Sequence, residues 1–400
     1  MRRFIRLHPR QFAAIMAVVG IGAIGSALLL SSHAQTPVVS KEAENGTVNS
    51  PATTIADKSA SGGQAIKFNK PTSPPPTGNC AVTAILVNPC GPWLGAWANF
   101  YPGHKNTGAK DEILNHEARI GRQIQMAKDY LNYGGTLTAD AKYFVDRPNT
   151  ILVTTWKAAP SGNWAAAGGG NATVNANIDA MAKSIKSVAP HKVVLIVWHE
   201  PENDVTASTT SCSGAGTTNT SGSPADYVNM WHNIRARFDA LGVNNVVWGM
   251  NYMLYNGGTC LIKPLWPGNN YVDWVFTDPY FNAPNTNYTS RIDFTYDWLK
   301  NNSDATHDFN SKPWGLAEWG VHPTTDTLKC QAFADAKTDL DNNRYPNLKA
   351  YIIFDSSAGA NGGGIVGLSN DGTTIDTVTQ NCYNKFANDP LFSKPFTGLP

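Results

Sequence analysis

Two glutamates stand out because each sits at the end of an apolar run, beside aromatic residues. The run KVVLIVWHE (192–200) ends in Trp198-His199-Glu200 and continues into Pro201-Glu202. The run PWGLAEWG (313–320) contains Ala317-Glu318-Trp319-Gly320. A carboxylate at the end of a buried strand is costly unless it is paired or put to use. Taken singly, each has a bland reading as a half-exposed or salt-bridged residue. Taken together, two such carboxyl groups suit cleavage of a glycosidic bond, one as acid/base and the other as nucleophile. Other chemistries fit less well. A zinc pattern His-Glu-x-x-His fails because Asn203 stands where the second His would be. No Gly-x-Ser-x-Gly elbow occurs for a serine hydrolase. No metal and no cofactor are expected.

For the glutamates to meet, the chain must bring two strand ends together. LGAWANF (94–100), ILVTTWK (151–157), NVVWGMN (245–251), YVDWVFTDPY (271–280) and KAYIIFD (349–355) read as further strands, with an eighth around QMAKDYLNY (125–133). Their apolar runs are continuous rather than alternating, as in parallel strands buried on both faces. Amphipathic stretches fall between them. VNANIDAMAKSIKSVA (174–189) sets Ile178, Met181, Ala182, Ile185 and Val188 on one stripe. SPADYVNMWHNIRARFDALG (223–242) opens on a Ser cap and a Pro and closes on Gly. Segments 138–146, 290–302 and 327–343 behave similarly. Eight strands alternating with helices predict a (β/α)8 TIM barrel, whose active site sits at the C-terminal ends of its strands. An open doubly wound sheet is the alternative. It is weakened because no Gly-x-Gly-x-x-Gly follows the first strand.

The barrel is expected over residues 80–400, preceded by other kinds of sequence. Residues 1–34 combine four early arginines, an uncharged run at 12–30 and the small-x-small triplet Ser32-His33-Ala34. That is the pattern of a signal peptide, or of an N-terminal membrane anchor if it is not cleaved. Residues 35–79 are low in bulky apolar residues and end in the Pro/Ser/Thr-rich linker KPTSPPPTGN (70–79). The protein is therefore expected to be secreted, with anchoring through 12–30 as the alternative. Six cysteines in an oxidising compartment imply disulfides. Pairing of neighbours is expected: Cys80–Cys90, Cys212–Cys260 and Cys330–Cys382. Charged residues make up only 15% of the chain, and 31 basic side chains balance 30 acidic ones. Without the four arginines of the leader, 27 basic residues face 30 acidic ones, a net of −3. No nucleic-acid partner is expected from such a balance. A monomer acting on a polysaccharide is.

Several motifs resemble glycoside hydrolase family 26, the β-mannanase family of the retaining clan A. HEARIGRQIQMAKDYLNY (116–133) is similar to its opening helix and second strand, and VTTWK (153–157) to its third strand. WHEP (198–201) resembles the acid/base strand, YVNMWHNI (227–234) the helix after it, and KPWGLAEWG (312–320) the nucleophile strand. WPGNNYVDWVFTDPYFN (266–282) is similar to the sixth-strand signature and ANDPLF (387–392) to the usual ending, so the resemblance spans about 90–393. It implies that Glu200 is the acid/base and Glu318 the nucleophile. It also suggests that His199 positions Glu200 or a sugar hydroxyl, with a satisfied core histidine as the alternative, and that Tyr280 donates to Glu318, with barrel-rim packing as the alternative. Trp156, Trp198, Trp314 and Trp319 are candidates for stacking on sugars, or core residues. Glu202 stands where better-studied members tend to carry Asn, and reads as a surface charge or a subsite acceptor. Thr277-Asp278-Pro279-Tyr280 places a Pro where a small or apolar residue is usual. Segment 42–68 resembles the opening strands of carbohydrate-binding modules of families 6 and 35, but is too short for a sugar site of its own. The function expected is a secreted retaining glycoside hydrolase cutting β-linked polysaccharide, β-1,4-mannan first. The alternatives are a β-glucanase or xylanase of the same family, and a non-catalytic cell-surface carbohydrate-binding protein.

Overall fold

The computed structural model describes residues 52–60, 62–68, 80–99, 108–160, 163–206, 221–281, 287–321, 324–356 and 376–399. The leader at 1–34, the linker at 70–79 and Cys212 lie outside the described residues. In the N-terminal unit, Ala52–Ala56 pairs antiparallel with Gln64–Phe68.

From residue 80 the chain builds a closed barrel of eight parallel strands. They are β1 (Trp93–Asn99), β2 (Met126–Leu131), β3 (Ile151–Trp156), β4 (Val193–Val197), β5 (Val246–Tyr252), β6 (Trp274–Thr277), β7 (Trp314–Val321) and β8 (Leu348–Ser356). Each pairs with the next, and β8 closes on β1 through the register Ala350–Trp93 to Ser356–Asn99. Among the described residues seven longer helices surround it: α1 (Ala109–Ile120), α2 (Ala139–Asp146), α3 (Ala172–Lys186), α4 (Pro224–Ala240), α5 (Tyr288–Asn302), α6 (Asp326–Asp341) and α7 (Thr377–Ala387). The expected (β/α)8 barrel is therefore present. Helix α4 shows why these boundaries were readable. Ser223 and Asp226 form a reciprocal capping box, and Pro224 occupies the first turn, where its missing N–H is no loss.

Strand alternation divides the core into two layers. Met126, Ile151, Val153, Val194, Ile196, Val247, Phe276, Ala350 and Ile352 point into the barrel. Leu131, Leu152, Val193, Leu195, Val275 and Tyr351 face the helices. Gly315 is needed inside because Phe276 fills that level: an added Cβ would stand 2.8 Å from its ring. The bottom of the barrel is plugged by the loop that Cys80–Cys90 closes. Leu86 enters the inner layer, Trp93 Nε1 donates to its carbonyl at 2.7 Å, and Trp274 Nε1 donates to Ile85 O at 2.6 Å. The C-terminal tail completes the plug. Phe396 lies edge-on to Trp93, and Val82 N donates to Thr397 O at 2.8 Å.

Two expectations need revision or qualification. The single strand expected over 271–280 is broken into β6 and a two-residue strand, Tyr280–Phe281, that pairs with Gly320–Val321. Pro279 lies between the pieces and has no N–H with which to continue the ladder. Disulfides join Cys80 to Cys90 and Cys330 to Cys382 as expected. The pairing Cys212–Cys260 depends on Cys212 and lies outside the described residues.

Candidate active site

The fourth and seventh strands deliver their glutamates to the C-terminal mouth by local departures from ideal geometry. After β4 the backbone turns sharply. Trp198 and Glu200 have positive φ, 57° and 50°, a conformation that side chains with a Cβ adopt at a cost. Glu200 N donates to Asn251 O at 3.0 Å, which ties the turn to β5. Asn203 Nδ2 donates to Glu200 Oε2 at 3.2 Å. On β7 the register slips by one residue. Leu316 pairs with Tyr351 and Trp319 with Ile353, so three steps on β7 match two on β8. Leu316 and Trp319 both belong to the outer layer, which strict alternation forbids. The extra residue lets Ala317 join the inner layer while the following Glu318 also reaches the inward Lys128, as bulges near active sites commonly do.

Glu318 is the hub of the mouth. Lys128 on β2, fully buried, lies 3.1 Å from Oε1 and also donates to Ala317 O at 3.0 Å. The Tyr130 hydroxyl donates to Oε1 as well. The Tyr280 hydroxyl donates to Oε2 at 2.6 Å. His199 packs edge-on to Tyr130, with ring centroids 5.5 Å apart. Asp278, 1% exposed, follows β6 into the same space, beside Asn251 and Glu200.

These surroundings pull the two glutamates in opposite directions. Burial alone would raise the Glu318 carboxyl, but Lys128, His199 and the two tyrosine hydroxyls outweigh it and hold it at about 2. Lys128 supplies the lasting positive charge, because burial holds His199 itself down to about 4 and leaves it neutral at pH 7. Glu200 is pushed up to about 8, first by burial and then by the charges of Glu318 and Glu202. Asp278 is pushed well above the usual carboxylate range by burial and by Glu318. At neutral pH one glutamate is a carboxylate and the other an acid, which is the division of labour general acid and nucleophilic catalysis needs.

Glu200, Glu318, His199 and Tyr280 thus lie together at the mouth. The four tryptophans do not form a sugar platform. Trp156, Trp314 and Trp319 are 0%, 2% and 0% exposed, and Trp314 begins β7 at the end away from the mouth. Trp319 is enclosed by Phe333, Phe386 and Tyr288. Trp198 is buried too, its Nε1 donating to Asp204 Oδ2 at 2.7 Å and its ring edge-on to Trp164. Glu202 is neither a surface charge nor an open subsite: it is fully buried and accepts from Leu254 N at 2.9 Å. Lys128, Tyr130 and Asp278 were not singled out from sequence. Nor were Trp97 on β1 and Phe354 on β8, two half-buried rings stacked 4.3 Å apart beside Tyr130 and Tyr280. The signal for Tyr130, Asp278, Trp97 and Phe354 is position, since each lies near the C-terminal end of a strand, whereas Lys128 is the third of six residues of β2.

No family model matches the sequence, and no curated protein does. Solved structures do share the fold. An endo-β-1,4-mannanase double mutant from Cellulomonas fimi is 14% identical, with a TM-score of 0.52, over 78% of this chain and 76% of that one. A family 26 β-mannanase from Bacteroides ovatus is 18% identical, with a TM-score of 0.51, over 75% and 89%. The family 26 domain of an endo-β-mannanase/endo-β-glucanase from Prevotella bryantii is 15% identical, with a TM-score of 0.50, over 75% and 90%. At these identities the likeness is one of architecture: the chain is built on the barrel that carries these three proteins.

Proposed function

We propose that the chain is an exported, retaining glycoside hydrolase of the family 26 kind, with β-1,4-mannan as its first candidate substrate. The observation that carries this reading is the split between the two glutamates at one barrel mouth, Glu318 held at about 2 and Glu200 at about 8. The shared fold of the three mannanases supports the substrate class. The basic, then apolar leader and the two disulfides support export.

The chemistry follows from these groups. Glu318 enters as a carboxylate and attacks the anomeric carbon, while Glu200 gives its proton to the departing glycosidic oxygen. Once Glu318 is esterified its negative charge is gone. Glu200 then loses the neighbour that most strongly raised it after burial, and its proton affinity falls. It can accept a proton from the water that attacks the same carbon and frees Glu318. Two inversions give net retention.

Reducing-sugar release from a panel of mannan, mixed-linkage glucan and xylan tests the reading. Mannan should be cut by the wild type and left intact by Glu318→Ala. On an aryl glycoside, azide should rescue Glu200→Ala with retained configuration and Glu318→Ala with inverted configuration. The opposite stereochemistry would exchange the two roles, and full activity in both variants would remove the glycosidase assignment. Binding without cleavage by the wild type would favour a carbohydrate-binding protein.

A further inference from the structure

Glu202 is an odd residue to bury. It stands two positions after Glu200, is inaccessible to solvent, and its Oε2 meets no hydrogen-bond partner among the described residues. Its Oε1 accepts from Leu254 N at 2.9 Å. Leu254 lies in the turn after β5 with φ of 51°, so this turn is strained and needs holding. Arg291 of α5 holds it from the other side, donating to Met253 O at 3.2 Å and Leu254 O at 3.0 Å. Met253 in turn places its Sδ 4.0 Å from Asn203 Nδ2, the amide that donates to Glu200 Oε2 at 3.2 Å. A chain of contacts therefore runs from Arg291 through the turn to Glu202, and from the same turn through Asn203 to Glu200.

We propose that Glu202 is a positioning residue for Glu200: it locks the turn after β5 against the end of β4 and stations a second carboxylate behind the acid/base. The proposal rests on Glu200 as the acid/base. The groups around the two carboxyls are few. Glu200 faces Glu318 from β7, Asp278 after β6 and Lys128 from β2. Glu202 faces Asp204, Tyr227 of α4 and Tyr252 of β5. Both tyrosine hydroxyls are spent on backbone carbonyls, Tyr227 on Val197 O and Tyr252 on Ile262 O. Burial lifts Glu202 to about 7 against three backbone N–H groups that lower it. The negative charge of Glu202 raises the proton affinity of Glu200.

Carboxyl titration by NMR with carbon-13-labelled glutamate tests this without substrate. The chain holds seven glutamates, so the spectrum is simple. In the wild type two glutamate carboxyls should titrate above pH 6, assigned by Glu200→Gln and Glu202→Gln. In Glu202→Gln, which keeps an oxygen for Leu254 N but no charge, the Glu200 midpoint should fall by about one pH unit. An unmoved midpoint overturns the proposal. If that variant does not fold, the wild-type titration decides, since the absence of any glutamate titrating above pH 6 would also overturn it. Turnover separates positioning from mere support. Glu202→Ala should lose at least tenfold in kcat/KM on polysaccharide and stay within about threefold in kcat/KM on an aryl glycoside, whose first step needs no proton. Equal losses on both would show that Glu202 serves only the fold. Because the titration needs no hydrolysis, failure of the glycosidase reading and failure of this inference are seen separately.

Discussion

Glu200 and Glu318 make opposite demands on the folded state. Glu318, held at about 2 against an ordinary 4.5, stabilises the fold above pH 4.5, and that contribution is lost as pH falls towards 2. Glu200, held at about 8, costs nothing below pH 4.5 and destabilises increasingly as pH rises from 4.5 through 8. Glu200→Gln should therefore raise Tm by about 3–6 °C at pH 8 and leave it unchanged at pH 4, while turnover is lost. Calorimetry at the two pH values decides, and equal gains at both would mean that the buried charge is not the cause. Lys128 has its own signature. In Lys128→Gln the Glu318 carboxyl loses its permanent positive neighbour, so the acid limb of kcat/KM should move up towards pH 4–5. An acid limb left in place would assign the depression to the tyrosine hydroxyls instead.

At the scale of elements, the bulge on β7 and the glycine below it set where the mouth begins. Gly315→Ala would bring a methyl within 2.8 Å of the Phe276 ring and 2.9 Å of Ala350 Cβ, in a layer with no slack. A loss of about 1–3 kcal/mol in urea unfolding is expected, and a neutral result would show that Phe276 can swing aside. The elements themselves were legible because parallel strands buried on both faces leave continuous apolar runs, and because Ser223, Pro224 and Thr138 punctuate helix starts. The bulge was not legible, since Ala317-Glu318 looks the same with or without an extra residue in the register. Lys128 and Tyr130 were hidden for a related reason. In MAKDYL only the pairing of β2 with its neighbours says which charges point inward. The tryptophans stayed open between stacking and core because a large aromatic at a strand end has the same sequence signature whether it is enclosed by helices or open to a sugar.

The whole molecule separates chemistry from closure. The mouth carries Glu200 and Glu318, while the Cys80–Cys90 loop and the C-terminal tail seal the opposite end. Replacing both cysteines of that loop by Ser should lower stability by about 2–3 kcal/mol. Turnover at 25 °C should be unaffected, because among the described residues nothing in the plug touches Glu200 or Glu318. A parallel loss of turnover well below the unfolding temperature would show that the two ends communicate. The plug has one more consequence. Ala81 and Thr397 are bridged as neighbours, so the first and last segments of the barrel lie side by side. A short peptide could join them, and the backbone could be reopened at the exposed Asn342–Asn343 turn, which also lies between a helix and the start of a strand. Such a circular permutant should close the same eight-stranded ring with β8 now leading the chain, since ring order in this barrel does not depend on where translation starts.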